Sequence, residues 1–141
     1  MKRLNQHLPS ILRVLLGAIL LIFGLNGFLH FIPMSPPEGQ AGQFMGGLAA
    51  AGYFFPLLKA TEIAVGLALL LGRLVPLALT ILAPIVINIV AFHLFLDIRG
   101  AAMGLFMLGS LLVLAWHHRD AYRPLFAPAR ATKRARVPAT A

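Results

Sequence analysis

Six side chains that can form hydrogen bonds or carry a charge lie inside long apolar segments of the chain: Asn26, His30, Lys59, Glu62, Asn88 and His93. An ionisable group at membrane depth is costly and by default indicates a functional site. Glu62 follows Lys59 by three residues, a spacing that lets the two side chains pair on one face of a helix. Together, the ionisable residues of this set can exchange protons with a bound molecule and donate hydrogen bonds to its carbonyl oxygens.

The remaining four residues form two pairs with different helical geometry. Asn26 and His30 are four residues apart and share a helical face. Asn88 and His93 are five residues apart, so an undistorted helix directs them about 140° away from each other. Pro84 removes a backbone hydrogen bond and predicts a kink just before Asn88. A kink does not by itself turn His93 toward Asn88, so His93 could face another neighbour or the membrane interface.

The composition of the chain indicates which elements must position these groups. Of the 141 residues, 60% are hydrophobic and 11% charged, with a mean hydropathy of +0.87. Soluble domains contain about 45–50% apolar and about 25% charged residues, so the sequence predicts an integral membrane protein. Long unbroken apolar runs argue against a β-barrel, whose strands alternate in polarity. The absence of cysteine excludes disulfides, Cys-ligated metals, covalent haem attachment through CxxCH and thiol chemistry.

Four apolar runs are long enough to cross a membrane as helices, which takes about 20 residues. They cover residues 11–31, 53–71, 75–96 and 101–116. Because only three or four residues join the second, third and fourth runs, these helices must be antiparallel neighbours. The predicted fold is therefore all-α, a four-transmembrane-helix antiparallel bundle over residues 1–116. Between the first two spans, Phe44, Met45 and Leu48 at helical spacing predict a short interfacial helix over residues 41–51, either a lid or a spacer.

Basic residues are distributed unevenly along the chain. If four spans alternate, only Arg99 lies on one side of the membrane and Lys59 lies within a span. The other ten share the side of both termini: Lys2, Arg3, Arg13, Arg73, Arg119, Arg123, Arg130, Lys133, Arg134 and Arg136. This bias predicts cytoplasmic termini, and the compact chain suits a bacterial inner membrane.

Residues 117–141 are predicted to form a disordered basic tail that touches anionic lipid. The net charge of +8 forms no basic face on a soluble fold, which argues against nucleic-acid binding.

The alternation of the spans places all six polar residues in the outer half of the bilayer. We therefore expect a polar pocket that opens toward the outer face, in which Glu62 or His93 moves protons. The residues expected to bind the ligand are Lys59, Asn26, His30 and Asn88. A quinone, with carbonyl oxygens on a hydrophobic body, fits this description, and Lys59 would polarise one carbonyl. Haem held between His30 and His93 is the weaker alternative, and we predict no metal-ion site.

Each of these residues also has a purely structural interpretation. Lys59 and Glu62 could neutralise each other and fix the register of their helix, or Lys59 could extend toward the interface. Asn26 and Asn88 are of a type that often forms hydrogen bonds between membrane helices. His30, at the end of its span, could be a hydrated interface residue.

Three segments resemble the DoxX family of four-helix membrane proteins. They are GYFFPLLKATE at residues 52–62 with Gly66 downstream, NIVAFHLFL at residues 88–96, and, more loosely, GLNGF at residues 24–28. The likeness extends over residues 12–116. The resemblance implies a membrane accessory or oxidoreductase-type protein, since the family is named after a subunit of a thiosulfate:quinone oxidoreductase and relatives are linked to redox complexes. It also implies that family-like positions are occupied by Lys59, Glu62, Asn88 and His93. No motif for thiosulfate accompanies them.

The sequence leaves three functions open, and whether the protein is an enzyme stays open with them. The leading hypothesis is a quinone- or electron-transfer-linked subunit of a redox complex. The second is a non-catalytic assembly or anchoring subunit, or a chaperone. The family resemblance implies the chaperone, because one vertebrate relative resembles a receptor-assembly chaperone. The third is a proton-linked carrier, which the lack of an inverted repeat disfavours unless a homo-oligomer supplies the symmetry.

Overall fold

The computed structural model describes residues 2–126, with side chains from residue 7 onward. Residues 127–141, most of the predicted basic tail, lie outside the described part. The α-helices are α1 (Lys2–Leu29), α2 (Gly39–Ala50), α3 (Phe54–Leu71), α4 (Val75–Phe95), α5 (Ala101–His117) and α6 (Arg119–Tyr122). Short 3-10 turns occupy Ile98–Gly100 and Arg123–Phe126.

The structure confirms the all-α fold with four apolar helices long enough to cross a membrane. The candidate spans are His7–Leu29, Phe54–Leu71, Val75–Phe95 and Ile98–His117. They imply a lipid bilayer around the protein and define a multi-pass membrane protein. The short helix predicted between the first two spans is confirmed as α2.

The four spans form a closed ring in which α1 packs on α3, α3 on α4, α4 on α5 and α5 on α1. The most extensive contact joins α1 and α3, where two glycines let the backbones meet. A β-carbon at Gly17 would lie 3.0 Å from the Gly66 carbonyl oxygen, and one at Gly66 would lie 2.9 Å from the Gly17 carbonyl oxygen. Small residues at such crossings allow close approach where lipid supplies no hydrophobic drive. Between the helices lies a core that includes Leu16, Leu69, Leu79, Leu82 and Leu114.

One end of the bundle is covered by α2, and we refer to it as the α2 end. It comprises the C-termini of α1 and α4 and the N-termini of α3 and α5. Ala41 of α2 is buried, and the Phe44 ring lies 5.9 Å from the Phe92 ring of α4. The helix therefore rests on the bundle instead of standing apart from it.

The opposite end is held by two side chains that reach carbonyls of another helix. The Arg13 guanidinium on α1 donates to the Leu69 and Leu70 carbonyls, in the last turn of α3. The Tyr122 hydroxyl on α6 donates to the Pro76 carbonyl at 2.9 Å. The Leu69 carbonyl also accepts from the Gly72 N–H at 3.1 Å, so the cationic Arg13 adds a donor at the end of the helix where the backbone dipole favours positive charge.

Candidate functional site

The Lys59 ammonium and the Glu62 carboxylate form an ion pair at the α2 end of α3. Lys59 Nζ donates to Glu62 Oε2 at 2.8 Å. The carboxylate side chain is 5% exposed, whereas the lysine side chain is 23% exposed. The two residues stand about 8 and 12 Å along α3 from Phe54, inside the apolar span. The pair therefore runs from the bundle interior, at Glu62, to the surface, at Lys59.

Two glycines of α1 shape the space around this pair. A β-carbon at Gly27 would lie 2.7 Å from Lys59 Cδ, so the lysine stem occupies the volume that a side chain on α1 would fill. One at Gly24 would lie 2.8 Å from Ile63 Cγ1 and 3.2 Å from the Lys59 carbonyl oxygen. The position of the ammonium is thus set by close α1–α3 packing as well as by its bond to Glu62.

Lys59 has more N–H donors than the described residues offer it acceptors. An ammonium has three N–H donors, and within residues 7–126 the structure assigns it one acceptor, Glu62. Separating the two charges inside an apolar medium is strongly unfavourable. The remaining N–H groups of Lys59 can donate to a carbonyl oxygen that approaches from the lipid while Glu62 continues to balance the charge.

Asn26 closes the turn after α1 instead of contacting the ion pair by a hydrogen bond. Its Oδ1 accepts from the Ile32 backbone N–H at 2.6 Å, and its Nδ2 donates to the Ile32 carbonyl at 3.3 Å. The side chain is 6% exposed. His30 lies within this turn with φ 51°, exposed, and its backbone N–H bonds to the Asn26 carbonyl at 2.9 Å. This pair orders the exit of the chain from the first span.

His93 is directed to the start of α5. Its Nδ1 lies 2.8 Å from the Asp97 carbonyl oxygen. A β-carbon at Gly100 would lie 2.5 Å from His93 Nε2, so the ring rests directly on the backbone of the connecting turn. The contacts with Asp97 and Gly100 therefore hold the imidazole against the turn between α4 and α5.

Asn88 is exposed on the outer surface of α4. Its Nδ2 donates to the Pro84 carbonyl of its own helix at 2.9 Å. The structure thus brings Lys59 and Glu62 into direct contact and gives the side chains of Asn26, His93 and Asn88 separate local partners. The imidazole of His30 has no hydrogen-bond partner among the described residues.

The connection between α4 and α5 holds a second ion pair. Arg99 Nε donates to Asp97 Oδ1 at 2.8 Å, and the Arg99 backbone N–H bonds to the same oxygen at 3.2 Å. The hydrogen bond from the guanidinium holds the pKa of the Asp97 carboxyl below its usual value. Together with His93, this pair shapes the short turn that leads into the last span.

Two concave apolar regions of the described surface lie away from the six predicted residues. The first is lined by Ala64, Leu67, Ala68, Leu71, Arg73 and Leu74. The second is lined by His7, Ser10, Ile11, Val14 and Leu15. Both lie toward the end opposite α2. Across residues 2–126, no group of three or more His, Asp or Glu side chains is placed to hold a metal ion.

Sequence reasoning missed several residues that organise the site. Gly27 and Gly100 make room for Lys59 and His93, and Arg13 holds the end of α3. A signal existed for Arg13, a charge inside an apolar run. The glycines gave no comparable signal, because Gly27 is far in sequence from Lys59 and because a turn between two helices separates Gly100 from His93. Ser110 on α5 is 2% exposed, and its Oγ has no hydrogen-bond partner among the described residues.

Comparison with known proteins adds no assignment: no family model matches the chain, and neither curated proteins nor solved structures give a significant match.

Proposed function

We propose that this four-span protein is a DoxX-type, quinone-linked membrane subunit, and that the Lys59–Glu62 pair is its ligand site. The observation that carries the proposal is the orientation of the pair. The ammonium is partly exposed at the bundle surface, and the buried carboxylate stands 2.8 Å behind it. A hydrophobic molecule with a polar carbonyl head reaches such a site laterally, through the lipid.

The residues have distinct roles in this proposal. Lys59 donates a hydrogen bond to a carbonyl oxygen of the ligand and balances negative charge that develops there. Glu62, which is bonded to the ammonium, accepts or returns a proton. A bound quinone would supply the electron-carrying chemistry. The remaining predicted residues support the surroundings, with Asn26 ordering the turn above the pair and His93 ordering the turn into α5.

The test is the quinone content of protein purified gently from its native membrane, measured by mass spectrometry of the lipid extract. We expect the unaltered chain to retain quinone and the Glu62→Gln variant to lose most of it. Thr61→Val is the matched control, because Thr61 lies on the same helix at similar depth and, among the described residues, its hydroxyl bonds only to the Leu57 carbonyl at 2.8 Å. Equal quinone in the Glu62→Gln and control proteins, or none in any of them, contradicts the proposal.

A second candidate, a non-catalytic assembly or anchoring subunit, is favoured by the packing of Lys59 against Gly27. This contact and the bond to Glu62 would serve to fix α1 against α3. In that case, Glu62→Gln lowers the thermal stability and the yield of any membrane complex, with no small molecule lost. The double variant Lys59→Gln/Glu62→Gln then restores much of the stability, because it removes the uncompensated charge but keeps polar groups.

A further inference from the structure

Asn88 presents an amide to lipid from within an apolar helix. The residue stands about 20 Å along α4 from Val75 and about 10 Å before Phe95, so it is well inside the span. One N–H of its amide bonds to the Pro84 carbonyl. Its second N–H and its Oδ1 have no partner among the described residues. Hydrocarbon offers no hydrogen bonds to such groups, and leaving them unpaired costs free energy.

Asn88 belongs to a regular stripe on the outer face of α4. The stripe repeats at alternating intervals of four and three residues and consists of Leu77, Ile81, Pro84, Asn88, Ala91 and Phe95. All but the half-buried Ala91 are exposed. The opposite face of α4, which includes Leu79, Leu82 and Val86, forms the bundle core. A repeat of 3.5 residues is the spacing at which two membrane helices pack along their length with a left-handed crossing.

We propose that this stripe is a dimer interface, in which α4 packs against α4 of a second copy of the chain and the two Asn88 side chains hydrogen-bond to each other. A primary amide is both donor and acceptor, so it is complementary to its own copy across a two-fold axis. Two copies inserted in the same orientation place their Asn88 residues at the same depth. The proposal is independent of the proposed quinone site, because Asn88 and the Lys59–Glu62 pair do not share a hydrogen bond.

Cysteine cross-linking in the native membrane tests the interface directly, because the chain has no cysteine of its own. An Ile81→Cys variant has its thiol one seven-residue repeat before Asn88. Under mild oxidation we expect it to form a disulfide-linked dimer. The control is Leu112→Cys on α5, which is similarly exposed, 59% against 42% for Ile81, and which should stay monomeric. Absence of the dimer with Ile81→Cys, or equal dimer with both variants, overturns the proposal.

The role of the amide is tested in the same Ile81→Cys background. Asn88→Leu should weaken self-association in reconstituted bilayers by roughly threefold to twentyfold, the range for interhelical polar contacts in membranes. Asn88→Gln should retain most of it. Thr80→Val, whose hydroxyl is already bonded to the Pro76 carbonyl at 2.9 Å, should leave it unchanged. Undiminished dimer in Asn88→Leu overturns the Asn88 pairing, and loss of a different bound protein with no change in self-association overturns the choice of a second copy.

Discussion

Gly27 of α1 and Lys59 of α3 occupy one shared volume, since a β-carbon on the glycine would lie 2.7 Å from Lys59 Cδ. The lysine that carries the charge of the proposed site is therefore positioned by a residue with no side chain. Membrane helices approach closely where one partner is small. Here the close approach also keeps an ammonium 2.8 Å from its carboxylate.

Gly27→Ala should displace the lysine stem and strain the α1–α3 contact. Overpacking of this kind typically lowers the free energy of unfolding by about 1–3 kcal/mol. Thermal unfolding in mild detergent measures the effect. The control is Gly109→Ala on α5, where a β-carbon meets no atom within 4 Å. That change should be neutral or stabilising by up to about 1 kcal/mol, because alanine favours helix over glycine. Equal stability of the two variants would contradict the assigned contact.

The turn between α4 and α5 depends on an equivalent relationship between Gly100 and His93. Gly100 has φ −95°, so alanine meets no backbone strain there and acts only through its β-carbon. Gly100→Ala should push the imidazole away and break its bond to the Asp97 carbonyl. In a double-mutant cycle with His93→Ala, we expect a coupling energy of about 0.5–3 kcal/mol. Additive effects of the two substitutions would show that the ring does not rest on this glycine.

The sequence predicted the spans well because their signal is local. Each span is a long apolar run, and glycine or short polar turns end it; α3 stops at Gly72, whose φ is 66°. The short connections from α3 to α4 and from α4 to α5 also predicted that these helices are antiparallel neighbours. The contact between α1 and α3 was not predicted, since about 20 residues separate the first two spans and permit several arrangements.

The candidate site was predictable only where its partners are close in sequence. The three-residue spacing of Lys59 and Glu62 indicated their pair. By contrast, the direction of Asn88 depends on the rotation of α4, which is set by core contacts of Leu79, Leu82 and Val86 with other helices. Spacing along one helix carries no information about that rotation, because all faces of α4 are apolar.

Arg13 should stabilise the end of α3 through its hydrogen bonds to the Leu69 and Leu70 carbonyls, and not through its charge alone. Hydrogen bonds to charged groups contribute about 1.5–3 kcal/mol, and we expect Arg13→Met to lower the free energy of unfolding by that amount. Arg73→Met removes the same charge from an exposed position at the same end of the bundle and should change stability by less than about 0.5 kcal/mol. Similar losses in both variants would indicate that charge, and not the contact with Leu69 and Leu70, is responsible.

Acid should weaken the turn between α4 and α5 through Asp97. Its pKa in the folded protein lies below the ordinary value of 3.8 because Arg99 donates a hydrogen bond to the carboxylate. The stabilisation is therefore fully present above pH 3.8 and is lost as the pH falls through the lower folded pKa. Between pH 6 and pH 2, the midpoint temperature of thermal unfolding should fall more steeply for the unaltered chain than for Asp97→Asn. Parallel curves for the two proteins would remove this pair from the causes of acid sensitivity.

The orientation of the bundle can be read from two engineered cysteines. Among the described basic residues outside the ion pair of α3, Arg99 lies at the α2 end, whereas Arg13, Arg73, Arg119 and Arg123 lie toward the opposite end. Positive charges are retained on the cytoplasmic side during insertion, so α2 should face outward. In intact bacterial cells, a membrane-impermeant maleimide should label Gln40→Cys on α2, and should label Asp120→Cys on α6 only after permeabilisation. The native chain without cysteine supplies the blank for both. Labelling of Asp120→Cys in intact cells would contradict the predicted orientation, and with it the prediction that the Lys59–Glu62 pair lies in the outer half of the bilayer.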